Sequence, residues 1–229
     1  MKIGGLINLT LLDYPEKIAC TVFTLGCNFR CPFCHNASLV EGRNCQNPTE
    51  QSILEFLRKR KGVLEGVCLT GGEPLLQPNV KDFLQKVKGL GYAVKLDTNG
   101  SFPEKLMELV ELKLIDYVAM DVKNCKEKYS ATTGTNVELS AVEKSVDFLM
   151  SQKMIDFEFR TTVTATYHDE KSMEKLAAWI AGSEKYYLQQ FVNSGDLIDG
   201  NTIGVDEETL KRYLEVVRKY LPNAQIRGV

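Results

Sequence analysis

The stretch GVCLTGGEPLLQPNVKDFLQKVKGLGYAVKLD, residues 66–97, contains one complete strand–helix–strand unit. Its first segment, 66–70, is short and apolar, which is typical of a buried strand. Apolar residues then recur at the spacing of a helix with one buried face: Val80, Phe83, Leu84 and Val87. A second strand-like segment follows at 92–97. The stretch therefore predicts two parallel strands joined by a crossover helix.

The same alternation extends in both directions along the chain. Further strands are predicted at 19–25, 117–121, 157–163 and 186–191, each followed by a helix-like segment. An eight-unit barrel takes about 250 residues, which is more than the 229 present. An open six-unit barrel or a doubly wound sheet fits the length better. We expect an α/β fold, an open partial TIM barrel of about six β/α units, in a single domain spanning 1–229.

Several local signals place the helix starts and the long loops. Asn47 is predicted to cap a helix with Pro48 in its first turn, Ser140 to open a capping box, and Asp206 to cap the last helix. Segments 124–138 and 192–204 are rich in polar residues and Gly, and are predicted to be long loops.

Charge and composition exclude several classes of protein. The 28 basic and 30 acidic residues give a net charge of −2. The chain therefore lacks the excess of positive charge that is typical of proteins that bind nucleic acid or an anionic membrane. No apolar run approaches the roughly 18 residues of a membrane span, and the N-terminus is not patterned as a signal peptide. We therefore expect a cytoplasmic protein with no nucleic-acid or membrane partner.

Three of the seven cysteines, Cys27, Cys31 and Cys34, lie within eight residues of one another, directly after the first predicted strand. In a reducing compartment such a cluster indicates a metal centre rather than disulfides. Three thiolates are one short of a closed tetrahedral zinc site, so a [4Fe–4S] cluster with one open iron is one interpretation. Structural zinc with His35 or Cys45 as the fourth ligand is the alternative.

Polar residues follow the later strands. Gly71, Gly72 and Glu73 come after the second, where glycines let the backbone approach a ligand and bare carbonyls or a carboxylate could receive an ammonium group. The ends of the next three strands carry Asp97 with Thr98, Asp121 with Lys123, and Arg160. Because the carboxyl ends of parallel strands meet at one face, these side chains are predicted to share a site with the cysteines.

Together the cysteine loop, the Gly-Gly-Glu-Pro motif and the strand-end acids resemble the radical S-adenosylmethionine superfamily. Within it, the motifs at 27–36, 97–100 and 121–123 are similar to those of the activating enzymes of glycyl radical enzymes. The opening at 11–23 most resembles the activating proteins of anaerobic ribonucleoside-triphosphate reductase.

The resemblance implies an oxidoreductase with two cofactors, a [4Fe–4S] cluster and S-adenosyl-L-methionine. An electron from the cluster would cleave the sulfonium, and the resulting 5′-deoxyadenosyl radical would abstract a hydrogen atom from a glycine of a partner enzyme. It also implies a flavodoxin or ferredoxin-type reductant. The alternative is a radical enzyme acting on a small molecule, such as a nucleoside or a deazapurine precursor.

The resemblance also assigns site residues. The cluster ligands would be Cys27, Cys31 and Cys34. The S-adenosylmethionine contacts would be Phe33 at the adenine, Gly71, Gly72 and Glu73 at the amino group, and Lys123 and Arg160 at the carboxylate or ribose. A monovalent cation, Na⁺ or K⁺, would sit at Asp97, Thr98 and Asp121, since two close carboxylates repel unless a cation lies between them.

One departure concerns the sixth strand. Pyruvate formate-lyase activases carry a histidine there that reaches the ribose, whereas this chain has Leu188-Gln189-Gln190-Phe191. Either glutamine could take that role, and Gln190 is the residue we assign to it. The departure argues against pyruvate formate-lyase as the partner, and the resemblance of the opening at 11–23 implies anaerobic ribonucleotide reductase instead.

Overall fold

The computed structural model describes residues 1–43, 45–193 and 195–228. Over these residues the chain forms one eight-stranded sheet whose strand order equals the chain order. The strands are β1 (Ile3–Thr10), β2 (Ala19–Thr24), β3 (Gly66–Gly71), β4 (Ala93–Thr98), β5 (Tyr117–Asp121), β6 (Asp156–Val163), β7 (Tyr186–Gln190) and β8 (Gln225–Arg227). Strands β2 to β8 are parallel, and β1 pairs antiparallel with β2.

The sheet is an open partial barrel, as predicted. Strand order follows chain order, whereas a doubly wound sheet reverses at a switch point, so the doubly wound alternative is wrong. Within the described ranges β1 and β8 are the two edges and do not pair with each other. The six predicted strands correspond to β2 through β7, with ends that shift by one residue at most.

The two edge strands were not predicted. Along β1 only Ile3 and Gly4 are buried and the rest is half-buried or exposed, so it lacks the alternation that marks a strand. Pairing with β2 holds it in place. The three residues of β8 are too few to show a period. Both strands therefore depend on tertiary pairing rather than on local pattern.

Helices connect the strands and cover the sheet. They are α1 (Ala37–Glu41), α2 (Glu50–Lys59), α3 (Val80–Gly89), α4 (Pro103–Glu111), α5 (Tyr129–Thr133), α6 (Leu139–Ser151), α7 (Glu170–Trp179) and α8 (Glu207–Arg218). The apolar stripe predicted for the crossover at 66–97 lies on α3, and all four of its residues are buried. Among the described residues, no helix combines the length and the apolar character needed to cross a membrane.

Some local predictions were wrong. Asn47 does not cap α2, because its φ of 48° places it in the left-handed region; Thr49 is the cap and accepts from the amide of Ser52 at 3.1 Å. Ser140 opens no capping box, since α6 already begins at Leu139. Segment 124–138 is not an uninterrupted loop, because it contains α5. Asp206 does cap α8, as predicted.

The predicted loop at 192–204 packs against the cysteine loop; of its residues, Ser194 lies outside the described part of the chain. Asp196 accepts from the Ser38 amide at 3.0 Å and from the Ser38 hydroxyl at 2.8 Å. The Asp199 amide donates to the Pro32 carbonyl at 2.9 Å. This segment therefore ties the end of β7 to the loop that carries the three cysteines.

Candidate active site

A cavity of about 340 Å³ opens at the carboxyl ends of the strands, which is the functional face of a parallel barrel. Most of the predicted site residues line it. They are Cys27, Cys31, Phe33, Cys34, Gly71, Gly72, Asp97, Thr98, Asp121, Lys123 and Arg160. Parallel register produces this convergence, since Asp97 is level with Ala119 and Asp121 is level with Arg160.

The cysteine loop leaves β2 and folds so that all three thiols face the same cavity. A turn in which the Cys34 amide donates to the Cys31 carbonyl at 2.9 Å brings the last two together. The Cys27 sulfur accepts from the Phe29 amide at 3.3 Å and from the Asn99 side-chain amide at 3.8 Å. Loop and strand-end groups therefore both hold the Cys27 thiol in place.

Burial raises the pKa of the Cys27 thiol to about 11 and that of Cys31 to about 12, and it also raises the pKa of Cys34. Lys123, which lines the same cavity, lowers the pKa of all three thiols and so acts in the opposite direction. Since metal ligation requires thiolates, metal takes the place of three protons at this site. A nearby cation favours that exchange.

The donor set fits a cluster bound by three cysteines. Cys45 is not among the residues lining the cavity; its thiol donates to the Arg43 carbonyl at 3.1 Å instead. His35 does line it. Throughout residues 1–43, 45–193 and 195–228, no group of three or more His, Cys, Asp or Glu side chains is placed to hold one metal ion. The three cysteines are included in this statement, so they do not surround a single ion in this structure.

Gly71 and Gly72 allow β3 to pass against the start of the cysteine loop. Gly71 has a φ of 113°, and a Cβ on Gly72 would lie 2.0 Å from the Gly26 carbonyl oxygen. The Glu73 amide donates to that same carbonyl at 2.9 Å. The glycines were predicted to admit a ligand; the structure shows that they are also required by contact between two segments of backbone.

The Glu73 side chain does not occupy the predicted position. It is completely buried, and its carboxylate accepts from the Leu75 amide at 2.9 Å, the Thr98 hydroxyl at 2.9 Å and the Asn99 amide at 2.7 Å. Burial raises the pKa of this carboxyl to about 7, and the three hydrogen bonds oppose that effect. The carboxylate joins β3 to β4 behind the cavity, so in this geometry it does not receive an ammonium group.

A network of charged side chains forms one side of the cavity. The Arg160 guanidinium donates to Asp121 at 2.9 Å and to Asp97 at 3.3 Å, and the Lys123 ammonium donates to Asp121 at 2.9 Å. Lys95, which is 2% exposed, pairs with Asp97. Burial alone would raise the pKa of both aspartates, but Arg160 and the lysines outweigh it and hold both below their usual value.

This network bears on the expectation of a monovalent cation at Asp97, Thr98 and Asp121, which stays a prediction. The Arg160 guanidinium already bridges the two carboxylates and supplies the positive charge between them. The Thr98 hydroxyl donates to Glu73 rather than joining the aspartates. The repulsion that called for a metal cation is therefore met by a side chain of the protein.

Replacing Asp121 by asparagine removes the negative charge with which both Arg160 and Lys123 pair. We therefore expect the free energy of unfolding at pH 7 to fall by about 3 kcal/mol. The pKa of Asp121 is lower in the folded protein than in the unfolded chain, where it is about 3.9. The ionised carboxylate therefore contributes its full share of folding stability above that pH, and the contribution is lost as the pH falls below it. The stabilities of variant and wild type should therefore converge in acid.

Urea unfolding at several pH values measures this effect. The matched control is Glu207→Gln, which breaks the exposed Glu207–Lys211 pair and should leave stability nearly unchanged. Equal stability of Asp121→Asn and wild type at pH 7 would show that the network does not hold the strand ends together.

The sixth predicted strand presents Gln189, not Gln190, to the cavity. Successive side chains of a strand point to opposite faces. Gln189 lines the cavity beside Thr162, its partner in register. Gln190 lies outside it and donates to the Val205 carbonyl at 2.7 Å. Of the two glutamines it is therefore Gln189, and not Gln190 as assigned, that faces the cavity; a contact with the ribose stays a prediction.

Asn99 is a site residue to which sequence reasoning gave no role. Its side-chain oxygen accepts from the amide and the hydroxyl of Ser101, at 2.9 and 2.5 Å, so its NH₂ group must face Cys27 and Asn28. The neighbouring Asp97 and Thr98 drew attention to the motif, but the sequence could not show which of its side chains would face the cysteines.

Comparisons with known proteins identify the family of the chain. The radical SAM superfamily model matches residues 21–180. A Methanocaldococcus jannaschii protein, provisionally named a glycyl-radical enzyme activating enzyme, is 31% identical over 99% of this chain and 96% of its own. The pyruvate formate-lyase-activating enzyme of Clostridium pasteurianum is 28% identical over 90% of this chain and 84% of its own.

Solved structures show the shared fold. Streptococcus suis SuiB bound to S-adenosylmethionine superposes with a TM-score of 0.68 at 16% identity, over 90% of this chain and 49% of SuiB. The chain therefore corresponds to about half of that larger protein. From the family match and the three-cysteine cavity, we conclude that the chain belongs to the radical SAM superfamily and is an enzyme whose cofactors are a [4Fe–4S] cluster and S-adenosyl-L-methionine.

Proposed function

We propose that the protein is an activase that installs a glycyl radical on a partner enzyme, and that this partner is anaerobic ribonucleoside-triphosphate reductase. The observation that carries the activase proposal is similarity to a glycyl-radical enzyme activating enzyme along 99% of this chain. The Leu11–Phe23 segment and the glutamines of β7 support the choice of partner, by the resemblance they carry and by the histidine they replace.

Cys27, Cys31 and Cys34 would hold the cluster, which, when bound, supplies the electron that cleaves the sulfonium of S-adenosylmethionine. Lys123 lines the same cavity as the three cysteines, and its ammonium group is suited to the carboxylate of the methionine group. The Gly71–Gly72 turn offers bare backbone to the amino group. The cofactor carries the reactivity, and these residues bind and orient it.

The remaining contacts concern the adenosine half. Phe33 is 3% exposed and lies between two cluster ligands in sequence, where its ring can pack on the adenine. Gln189 faces the cavity from β7 and has the donors and acceptors that ribose hydroxyls need. Arg160 is held by two carboxylates, so it contributes a fixed positive charge rather than a mobile one.

The surface beside the cavity suits a protein partner. Ile7 lines the cavity from β1 and is exposed. Val192 follows the carboxyl end of β7, Ile203 lies beside Ala165 beyond the carboxyl end of β6, and both are more than half exposed. Apolar side chains left in solvent around an open cavity are typical of protein interaction sites. A flavodoxin or ferredoxin-type protein is the proposed reductant.

The test is electron paramagnetic resonance spectroscopy of the reduced, reconstituted protein with S-adenosylmethionine and an anaerobic ribonucleotide reductase from the same organism. We expect a glycyl radical doublet on the reductase, and none when pyruvate formate-lyase replaces it. A doublet only with pyruvate formate-lyase would overturn the choice of partner. Rapid turnover with a nucleoside and no protein partner would overturn the activase proposal and favour the small-molecule alternative.

A further inference from the structure

His168 is a buried titratable residue that the proposed function does not use. It lies between β6 and α7, next to the α7 cap Asp169, and is 3% exposed. Its amide donates to the Thr164 carbonyl at 3.2 Å, and its carbonyl accepts from the Tyr213 hydroxyl at 3.1 Å. Both backbone groups of His168 are therefore hydrogen-bonded, independently of the contacts that its side chain makes.

The hydrogen bonds of the ring determine its tautomer. The Thr164 amide lies 3.1 Å from Nδ1, and an amide can only donate, so Nδ1 is the acceptor. In a neutral imidazole the proton is then on Nε2, which donates to the Lys123 carbonyl at 2.9 Å. Burial lowers the pKa of His168 to about 4, which keeps the ring neutral at physiological pH.

The imidazole ring of His168 also packs against Phe33 of the cysteine loop. The rings of His168 and Phe33 are 6.5 Å apart at 67°, an edge-to-face arrangement that aromatic pairs favour. Tyr167 contacts Phe33 as well, at 6.1 Å. One side chain therefore contacts two residues that line the cavity, Lys123 after β5 and Phe33 in the cysteine loop.

We propose that His168 is a positioning residue that fixes Lys123 and Phe33 relative to each other, so that both present a preformed surface to S-adenosylmethionine. This inference rests on the proposed function only in giving Lys123 and Phe33 roles in cofactor binding. The donated hydrogen bond holds the Lys123 peptide, from which the side chain reaches Asp121. The ring packing holds Phe33 between the ligands Cys31 and Cys34.

Three substitutions separate these contacts. His168→Gln can keep a donor for the Lys123 carbonyl but loses the ring. His168→Asn can keep an acceptor for the Thr164 amide but loses that donor. His168→Phe keeps a ring against Phe33 but leaves both backbone partners without a hydrogen bond. The matched control is Tyr213→Phe, which removes a buried hydrogen bond to His168 on the side away from Lys123.

The readouts are iron content, thermal unfolding, and S-adenosylmethionine affinity by calorimetry of the reconstituted protein without any partner. We expect affinity to fall about tenfold in His168→Asn and about threefold or less in His168→Gln. Tyr213→Phe should lower stability as much as His168→Asn, with affinity unchanged. Iron content should stay at the wild-type level in all four variants.

Affinity that follows thermal stability equally in His168→Asn and Tyr213→Phe would overturn the inference and make His168 a structural residue. Unchanged affinity in His168→Asn would overturn it as well. Failure of the proposed function gives a different pattern, because the wild type would then bind S-adenosylmethionine and form no radical on the reductase.

Discussion

Iron is expected to be lost almost completely when Cys27, Cys31 or Cys34 is replaced by alanine. Each thiol faces the cavity, and no other cysteine of the described residues lines it, so no spare thiolate is available. A cluster bound by three thiolates cannot keep its geometry on two. Iron analysis of anaerobically reconstituted protein should fall from about four atoms per chain to near none, and cleavage of S-adenosylmethionine should disappear with it.

The control variants are Cys45→Ala and Cys125→Ala. Cys45 is directed at the carbonyls of Ser38 and Arg43, and Cys125 is buried away from the cavity lining. Both variants should keep wild-type iron content and their brown colour. Loss of iron in Cys45→Ala would contradict the assignment of three ligands, and colourless wild-type protein with one zinc would support the zinc alternative.

Gly72→Ala is expected to damage both the stability of the fold and the cofactor site. The added Cβ would lie 2.0 Å from the Gly26 carbonyl oxygen and 2.6 Å from its carbon, and both are backbone atoms that no side-chain rotation can move. The turn and the start of the cysteine loop must separate, at a cost of about 3 kcal/mol in unfolding free energy. Affinity for S-adenosylmethionine should fall with it.

Gly89→Ala is the matched control, because a Cβ there meets nothing within 4 Å and the residue ends helix α3. Alanine favours helix over glycine by up to about 1 kcal/mol, so this variant should be as stable as wild type or slightly more stable. Denaturant unfolding measures both changes. A Gly72→Ala variant with wild-type stability and cofactor affinity would show that the backbone contact at Gly26 is not required.

The regular alternation of strand and helix patterns along the sequence made the parallel sheet and its functional face predictable. Buried strands, helical apolar stripes and polar strand ends are local features, so the convergence of Asp97, Asp121 and Arg160 could be expected. What each of these side chains contacts depends on distant residues. The guanidinium between Asp97 and Asp121 belongs to Arg160 on β6. The partners of Glu73 include Thr98, the last residue of β4, and Asn99 directly after it.

The placement of Gln190 outside the cavity lining has a different cause. Strand alternation requires one of the two glutamines to face the cavity, but the sequence of β7 gives no direct sign of which. The register does, since Gln189 is level with Thr162 and both line the cavity. The contacts of His168 could not be predicted, because the partners of its ring nitrogens, the Thr164 amide and the Lys123 carbonyl, are backbone groups that leave no signal in the side-chain pattern.

The most direct test of the central claim follows the hydrogen atom itself. The partner reductase is prepared with its glycines deuterated at Cα, then mixed with the reduced, reconstituted protein and S-adenosylmethionine. Mass spectrometry then measures the 5′-deoxyadenosine that forms. The account predicts that one deuterium enters the 5′-deoxyadenosine in proportion to the glycyl radical detected by electron paramagnetic resonance. Unlabelled 5′-deoxyadenosine beside a full yield of glycyl radical would contradict it.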